Sequence, residues 1–158
     1  MICFQRVDDR LIHGQVQTSW IALSRAQNVL VIDDKVRNDA MAIQILEFAI
    51  PKGMKLKVLN IDEGVAFWEK AIASKNRIMV LFKSIHTVRC LAEKGVAFES
   101  IMVGPSSYKE GSKEIIQSTY FSDEEIEDAK VLDALGVELF FQHTPEQKKI
   151  YWKEIGIK

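Results

Sequence analysis

The stretch Ile78-Met79-Val80-Leu81-Phe82 decides the fold, because it is apolar at every position and too short for a helix. A run of this kind is typical of a strand that is buried on both faces of a parallel sheet. Other short apolar runs lie on either side of it in the chain, at residues 1–4, 29–32, 56–59, 101–103 and 137–141. Together these runs predict the strands of one mainly parallel sheet.

Helical segments lie between the runs. In each of them apolar residues recur three or four positions apart, which places them on one face of a helix. The clearest examples are Val16, Trp20 and Leu23, then Ala42, Ile45, Leu46 and Ala49, and then Val88, Leu91 and Ala92. This alternation predicts a three-layer α/β/α fold, in which right-handed crossovers join a mainly parallel sheet of about six or seven strands. In such a fold the ligand site lies outside the carboxyl ends of the strands.

Residues at the helix boundaries support this alternation. Ser122 with Glu125 has the spacing of a capping box, and Thr144, followed by Pro145 and Gln147, predicts the start of a last helix in the same way. Two glycines, Gly95 and Gly136, stand where a left-handed residue would close a helix. Residues 114–121 alternate weakly and predict an extra strand.

Composition restricts the class of protein. The 158 residues carry 21 Lys and Arg against 22 Asp and Glu, a net charge of -1, which argues against nucleic acid as a partner. Cys3 and Cys90 are too few for a disulfide scaffold and lack the spacing of a zinc site. Since no linker divides the chain and no apolar run approaches about 18 residues, we expect one cytoplasmic, soluble domain over residues 1–158.

A concentration of charged side chains follows the first predicted strand. Residues 6–13, RVDDRLIH, hold two cations, two carboxylates and an imidazole. His13 stands just before a helix start, where backbone N–H groups and the helix dipole favour an anion such as phosphate. An imidazole can attack phosphorus through an unprotonated ring nitrogen, and either Asp8 or Asp9 would orient the ring by accepting from the other nitrogen.

The flanking residues match the needs of phosphoryl transfer, which are positioning and charge compensation. Arg6 and Arg10 are forked donors suited to phosphate, Gly14 allows the backbone to approach it, and Gln15 adds an amide. Neither a metal nor another cofactor is needed for such a step.

Other interpretations of these residues are open on physical grounds. The charges of residues 6–13 are also compatible with a surface ion-pair network, and the same fold would serve a non-catalytic module that binds a small anion or regulates a partner. Asp33 and Asp34 end a strand as in dinucleotide enzymes, but the first turn lacks the required glycines. His86 and His143 follow other predicted strands, and we interpret both as structural.

The string RVDDRLIHGQV at residues 6–16 closely resembles the N-terminal signature of the IIB subunits of the mannose/fructose/sorbose family of the bacterial phosphotransferase system. The resemblance continues through VLVIDDKVRND at residues 29–39, VLFKS at residues 80–84, and the late order of an acidic helix, a Gly-Val strand and a Pro-led helix. It covers essentially the whole chain.

The resemblance implies a phosphocarrier. His13 would take a phosphoryl group, at the ring nitrogen nearest the backbone, from a phosphohistidine on a IIA partner, with Arg6, Arg10, Asp8 and Asp9 matching the family's flanking residues. The group would pass on to a sugar held by the membrane subunits IIC and IID. A homodimer is a further expectation.

Two further features of the sequence concern the edge of the sheet at which the site is expected. The sequence has Gly104-Pro105 where many members have two glycines, so the loop at residues 104–112 departs from the family pattern. Arg37, Lys109 and Lys113 predict a positive rim around the site for an acidic partner.

Overall fold

Strands and helices alternate through the residues that the structure describes, which are 1–14 and 16–157 of this computed structural model, with Gln17 described through its backbone only. The strands are β1 Ile2–Val7, β2 Asn28–Ile32, β3 Lys55–Leu59, β4 Ile78–Phe82, β5 Ser100–Val103, β6 Lys113–Ile116, β7 Thr119–Phe121, β8 Glu138–Phe141 and β9 Ile150–Tyr151. The helices are α1 Ile21–Ser24, α2 Asp34–Arg37, α3 Ala40–Ala49, α4 Ile61–Ala73, α5 Ile85–Glu93, α6 Asp123–Ala134 and α7 Trp152–Ile155, and a π-helical turn, Val16–Trp20, precedes α1.

The main sheet of the described chain has seven strands in the order β3-β2-β4-β1-β5-β8-β9. Its pairs are parallel except for β9, which runs antiparallel to β8. This confirms the predicted α/β fold with a mainly parallel sheet. The weakly alternating residues 114–121 form an antiparallel hairpin of β6 and β7 instead of one strand, because Ser118 adopts a left-handed φ of 60° and turns the chain.

Strand β4 shows why the fold has three layers. Ile78, Val80 and Phe82 pack into one hydrophobic core with α4 to α7. Met79 and Leu81 point to the other face and pack with the π-helical turn and α1 to α3. Burial of each such side chain contributes about 1.5–3 kcal/mol, so a strand that is apolar at every position is stable only between two layers of helices.

Several boundary predictions are confirmed. Ser122 and Glu125 form the reciprocal capping box of α6. Gly95 and Gly136 have φ values of 97° and 86° and end the segments of α5 and α6.

The predicted helical residue Trp20 is buried, as are Trp68 and Trp152, each within one of the two cores. Within the described residues, no helix is both long and apolar enough to span a bilayer.

The helix predicted to start at Thr144 is wrong. The segment is a turn in which the Gln147 amide donates to the Thr144 carbonyl at 3.1 Å. The Gln142 side chain donates to the carbonyl of Gln147 at 2.8 Å and to that of Pro145 at 3.4 Å. Because this amide occupies carbonyls that a helix would use, the capping signature does not lead to a helix, and the chain continues into β9 and α7.

Candidate functional site

The loop after β1 is held on both sides at the carboxyl edge of the sheet. The Asp8 amide donates to the Phe82 carbonyl of β4 at 2.9 Å, and the Gly104 amide after β5 donates to the Val7 carbonyl at 2.8 Å. Leu11 adopts a left-handed φ of 57°, a conformation that costs about 1–3 kcal/mol. Leu11 is only 4% exposed, so apolar burial offsets this strain, and the chain next presents half-buried His13 at the surface.

The carboxylate of Asp8 is the centre of the site. Its side chain is fully buried, and Oδ2 lies 3.0 Å from His13 Nε2 and 3.3 Å from Arg6 Nε. The Arg10 backbone amide donates to Oδ1 at 3.1 Å. A carboxylate accepts hydrogen bonds, so this contact is made by a ring that carries its proton on Nε2 and has Nδ1 directed away from Asp8. Of the two carboxylates considered from the sequence, Asp8 is the one that orients the ring.

Arg6 lies beneath the site with a side chain of 0% exposure. Its Nη1 donates to the Gln142 carbonyl at 2.7 Å and contacts the Met102 sulfur, and its Nη2 donates to the His143 carbonyl at 3.3 Å. The guanidinium also stacks on Trp20, with Cζ 5.1 Å from the ring centroid. The donors of this side chain are therefore directed at the protein interior.

This position differs from the sequence expectation that Arg6 binds phosphate. A fully buried guanidinium cannot reach a group on the surface without leaving its partners. Burial lowers the pKa of Arg6, while the charge of Asp8 raises it. Breaking a buried ion pair of this kind costs about 3–5 kcal/mol, so Arg6 supports Asp8 structurally.

Gly104 completes the surroundings of Arg6. A Cβ at this position would lie 2.5 Å from Arg6 Nη2 and 2.8 Å from Cζ. Any side chain would therefore displace the guanidinium. Sequence reasoning noticed this glycine only as part of a family pattern, because the atom that requires it comes from a strand almost a hundred residues earlier.

Arg10 and Gly14, two residues predicted to bind phosphate, are exposed to solvent. The Arg10 side chain is 51% exposed, and its Nε lies 3.8 Å from Asp8 Oδ1. Gly14 is exposed, and a Cβ there would meet no atom within 4 Å. Gln15, the remaining predicted phosphate donor, lies outside the described residues.

Asp9, the other carboxylate considered for His13, contacts the loop at residues 104–112. Its Oδ2 accepts a hydrogen bond from the Ser107 backbone amide at 2.9 Å. The Ser106 hydroxyl donates to the Tyr120 carbonyl and accepts from the Tyr120 amide, both at 2.8 Å. Asp9 and the β6–β7 hairpin thus hold the loop at residues 104–112, and the Ser106 hydroxyl is directed at Tyr120 instead of His13.

The other polar residues considered from the sequence have structural partners. Asp33 caps α2 through the Val36 amide at 2.9 Å, and Asp34 accepts from the Ile61 amide at 2.8 Å. The ring of His143 lies 3.0 Å from the Thr119 hydroxyl, and burial, assisted by Arg6, lowers its pKa.

The predicted positive rim is neutralised. Arg37 pairs with Glu63 at 2.9 Å, Lys109 with Glu125 at 3.1 Å, and Lys113 with Asp123 at 3.0 Å. Because each cation has an acidic partner, these three residues add little net positive potential. Arg10, by contrast, has an exposed side chain whose Nε lies 3.8 Å from the carboxylate that also contacts His13.

The structure therefore defines an α/β protein with a histidine-centred site at the carboxyl edge of its central strand. Residues 2–158 match the family model described as PTS system sorbose subfamily IIB component, and the chain belongs to this family. Its members are cytoplasmic phosphotransferase components of sugar uptake that work with a IIA protein and the membrane subunits IIC and IID.

Individual relatives agree with this assignment. The chain is 32% identical to the sorbose-specific EIIB component of Klebsiella pneumoniae over 87% of this chain and 84% of the relative. It is 30% identical to the mannose-specific EIIAB component of Escherichia coli K12, over 95% of this chain and 46% of that longer protein. The crystal structure of the IIBSor domain of the Klebsiella pneumoniae sorbose permease superposes with a TM-score of 0.87 at 29% identity, covering 95% and 92% of the two chains.

We expect Gly104→Ala to destabilise the protein by several kcal/mol, because the new Cβ displaces Arg6 and leaves Asp8 without its buried partner. Urea unfolding measures the loss. Gly14→Ala is the matched control, since its Cβ would meet open space. Equal stability of the two variants would show that the guanidinium relocates without cost.

We expect His143 to make the fold sensitive to mild acid. Its lowered folded-state pKa means that, as the pH falls below the ordinary value of 6.5, the unfolded chain binds a proton that the folded chain does not. The free energy of unfolding should therefore fall from about pH 6.5 down to the folded-state pKa, with no contribution at higher pH. Urea unfolding of His143→Gln should show a smaller loss between pH 7.5 and 5.5. An unchanged pH dependence would contradict this role.

Proposed function

We propose that His13 is the phosphoryl acceptor of this IIB component and that Nδ1 is the attacking atom. The observation that supports this most directly is the 3.0 Å contact between Asp8 Oδ2 and His13 Nε2. It directs Nδ1, with its lone pair, away from the carboxylate. A module that only binds anions has no need for an imidazole held by a buried carboxylate, whose charge would oppose anion binding.

The transfer replaces one phosphorus–nitrogen bond by another. The bond between phosphorus and the imidazole of the IIA partner breaks, and a bond from phosphorus to His13 Nδ1 forms. Positive charge that develops on the His13 ring is stabilised by Asp8 through the Nε2 proton. The Asp8–His13 pair is held in advance by Arg6, so little reorganisation accompanies the step.

Arg10 is proposed to compensate the charge of the transferred group. The three phosphoryl oxygens carry most of the negative charge in a loose transition state. The Arg10 guanidinium is exposed and lies 3.8 Å from Asp8, the carboxylate that holds the ring, and its backbone amide also donates to Asp8. The backbone at Gly14 is open to the phosphate, and the role of Gln15 stays a prediction.

The phosphorylated chain is proposed to act as one domain over residues 1–158 that passes the group on to a sugar held by IIC and IID. The proposed rim around His13 comprises the loop at residues 6–13, the segment at residues 33–37 and the loop at residues 104–112. The IIA partner is proposed to dock on this rim, since two imidazoles must share one phosphorus atom. The homodimer stays a prediction.

His13→Ala should abolish phosphorylation by a cognate IIA, the general phosphotransferase proteins and phosphoenolpyruvate, because the accepting nitrogen is lost. Intact mass should show one acid-labile, base-stable phosphate on the wild type and none on the variant. His86→Ala and His143→Ala are the controls, and both should be phosphorylated. Retention of the phosphate by His13→Ala would refute the assignment.

Arg10→Ala should slow the transfer far more than it weakens IIA binding, since Arg10 acts mainly where charge is shared between two imidazoles. Loss of a comparable donor costs about 2.7–4 kcal/mol, or about 100- to 1000-fold in rate. Rapid-quench kinetics and titration of IIA binding separate the two effects. Arg10→Lys should recover activity only in part, because it keeps the charge and loses the fork. Full activity of this variant would mean that charge alone is required.

A further inference from the structure

A second group of chemically active side chains lies on helices α5 and α6, apart from the site of His13. His86 and Cys90 are one helical turn apart on α5, and Cys90 Sγ lies 3.4 Å from His86 Nε2. The other ring nitrogen, His86 Nδ1, lies 3.1 and 3.2 Å from the two carboxylate oxygens of Asp128 on α6. The order of thiol, imidazole and carboxylate invites comparison with a catalytic triad.

The charges around Cys90 argue against a nucleophilic thiol. Burial raises the pKa of the Cys90 thiol, and Glu93 and Asp128 raise it further, against a smaller opposing effect of Arg89. A thiolate nucleophile needs positive surroundings that stabilise its charge.

The distance between the sulfur and the nitrogen suits a metal ion. Tetrahedral zinc binds thiolate at about 2.3 Å and imidazole at about 2.0–2.1 Å, which places the two ligand atoms about 3.6 Å apart. The observed separation is 3.4 Å. Only small side-chain movements are needed to admit an ion between Cys90 and His86.

Asp128 supplies the outer support that histidine ligands of metals usually have. Its side chain is 3% exposed, and Arg89 Nη1 fixes Oδ1 at 3.0 Å. A buried carboxylate that accepts from Nδ1 leaves Nε2 to face the ion and increases the basicity of the ring. The His86 side chain itself is 63% exposed, so an ion can enter from solvent.

We propose that His86 and Cys90 form a surface binding site for zinc or a similar thiophilic divalent ion, with Asp128 as the positioning residue. No group of three or more metal-binding side chains occurs among the described residues, so water completes the coordination. On binding, the Cys90 S–H bond breaks, the proton passes to solvent, and the thiolate and the Nε2 lone pair bind the ion.

The rate of alkylation of Cys90 tests the site, because a metal-bound thiolate is protected. The protein is treated with a maleimide at a series of buffered free zinc concentrations, and peptide mass spectrometry follows each cysteine. We expect alkylation of Cys90 to slow progressively as the free zinc concentration rises and to level off at saturation, because only the unbound thiol reacts with the maleimide. Cys3 is the internal control, and its rate should not change. No slowing of Cys90 alkylation would overturn the proposal.

Two variants separate a two-ligand site from a thiol that binds zinc by itself. His86→Gln changes an exposed side chain and should abolish the protection of Cys90. Asp128→Asn should weaken zinc binding about 10- to 100-fold, the usual effect of losing an outer carboxylate. Cobalt(II) should produce thiolate charge-transfer and tetrahedral d–d absorption bands that Cys90→Ser lacks. Equal protection of Cys90 in the wild type and in His86→Gln would refute a role for the imidazole.

Discussion

The burial of the Asp8 carboxylate is the constraint on which the functional edge of this protein depends. A fully buried carboxylate is stable only when charges and donors surround it. Arg6 supplies the charge from below, the Arg10 amide supplies a donor from the loop, and His13 supplies the third contact. The orientation of the imidazole is therefore a consequence of the way in which the protein compensates this buried charge.

The compensation draws in parts of the chain that are far apart. Arg6 donates to the Gln142 carbonyl across 136 residues of sequence, and Gly104 leaves the space that its guanidinium occupies. The carbonyl of His143, which accepts from Arg6 Nη2, also accepts from Trp20 Nε1 at 3.3 Å. These contacts connect β1, β5 and the segment after β8, so the rigidity of the site depends on the completed sheet.

Local signals predicted most of the fold and grouped His13 with the carboxylate that contacts it. The strands are continuous apolar runs, and Ser122, Gly95 and Gly136 act within a few residues of their own positions, where short motifs are informative. The helix predicted to start at Thr144 does not form because of contacts made from outside the motif. The Gln142 side chain donates to the carbonyls of Pro145 and Gln147, and the segment forms a turn before β9. A capping signature states a local preference, and tertiary hydrogen bonds override it.

The sequence by itself determined the three-layer fold, the family and the group of residues 6–13 in which the imidazole lies, because periodicity and adjacent side chains are properties of short segments. Only the tertiary structure decided that Asp8 holds His13, that Asp9 holds the loop at residues 104–112, and that Arg6 is buried. It also paired Arg37, Lys109 and Lys113 with acidic residues. The physical reason is that burial and charge pairing depend on distances between segments, and folding sets those distances only when the sheet and its helices pack together.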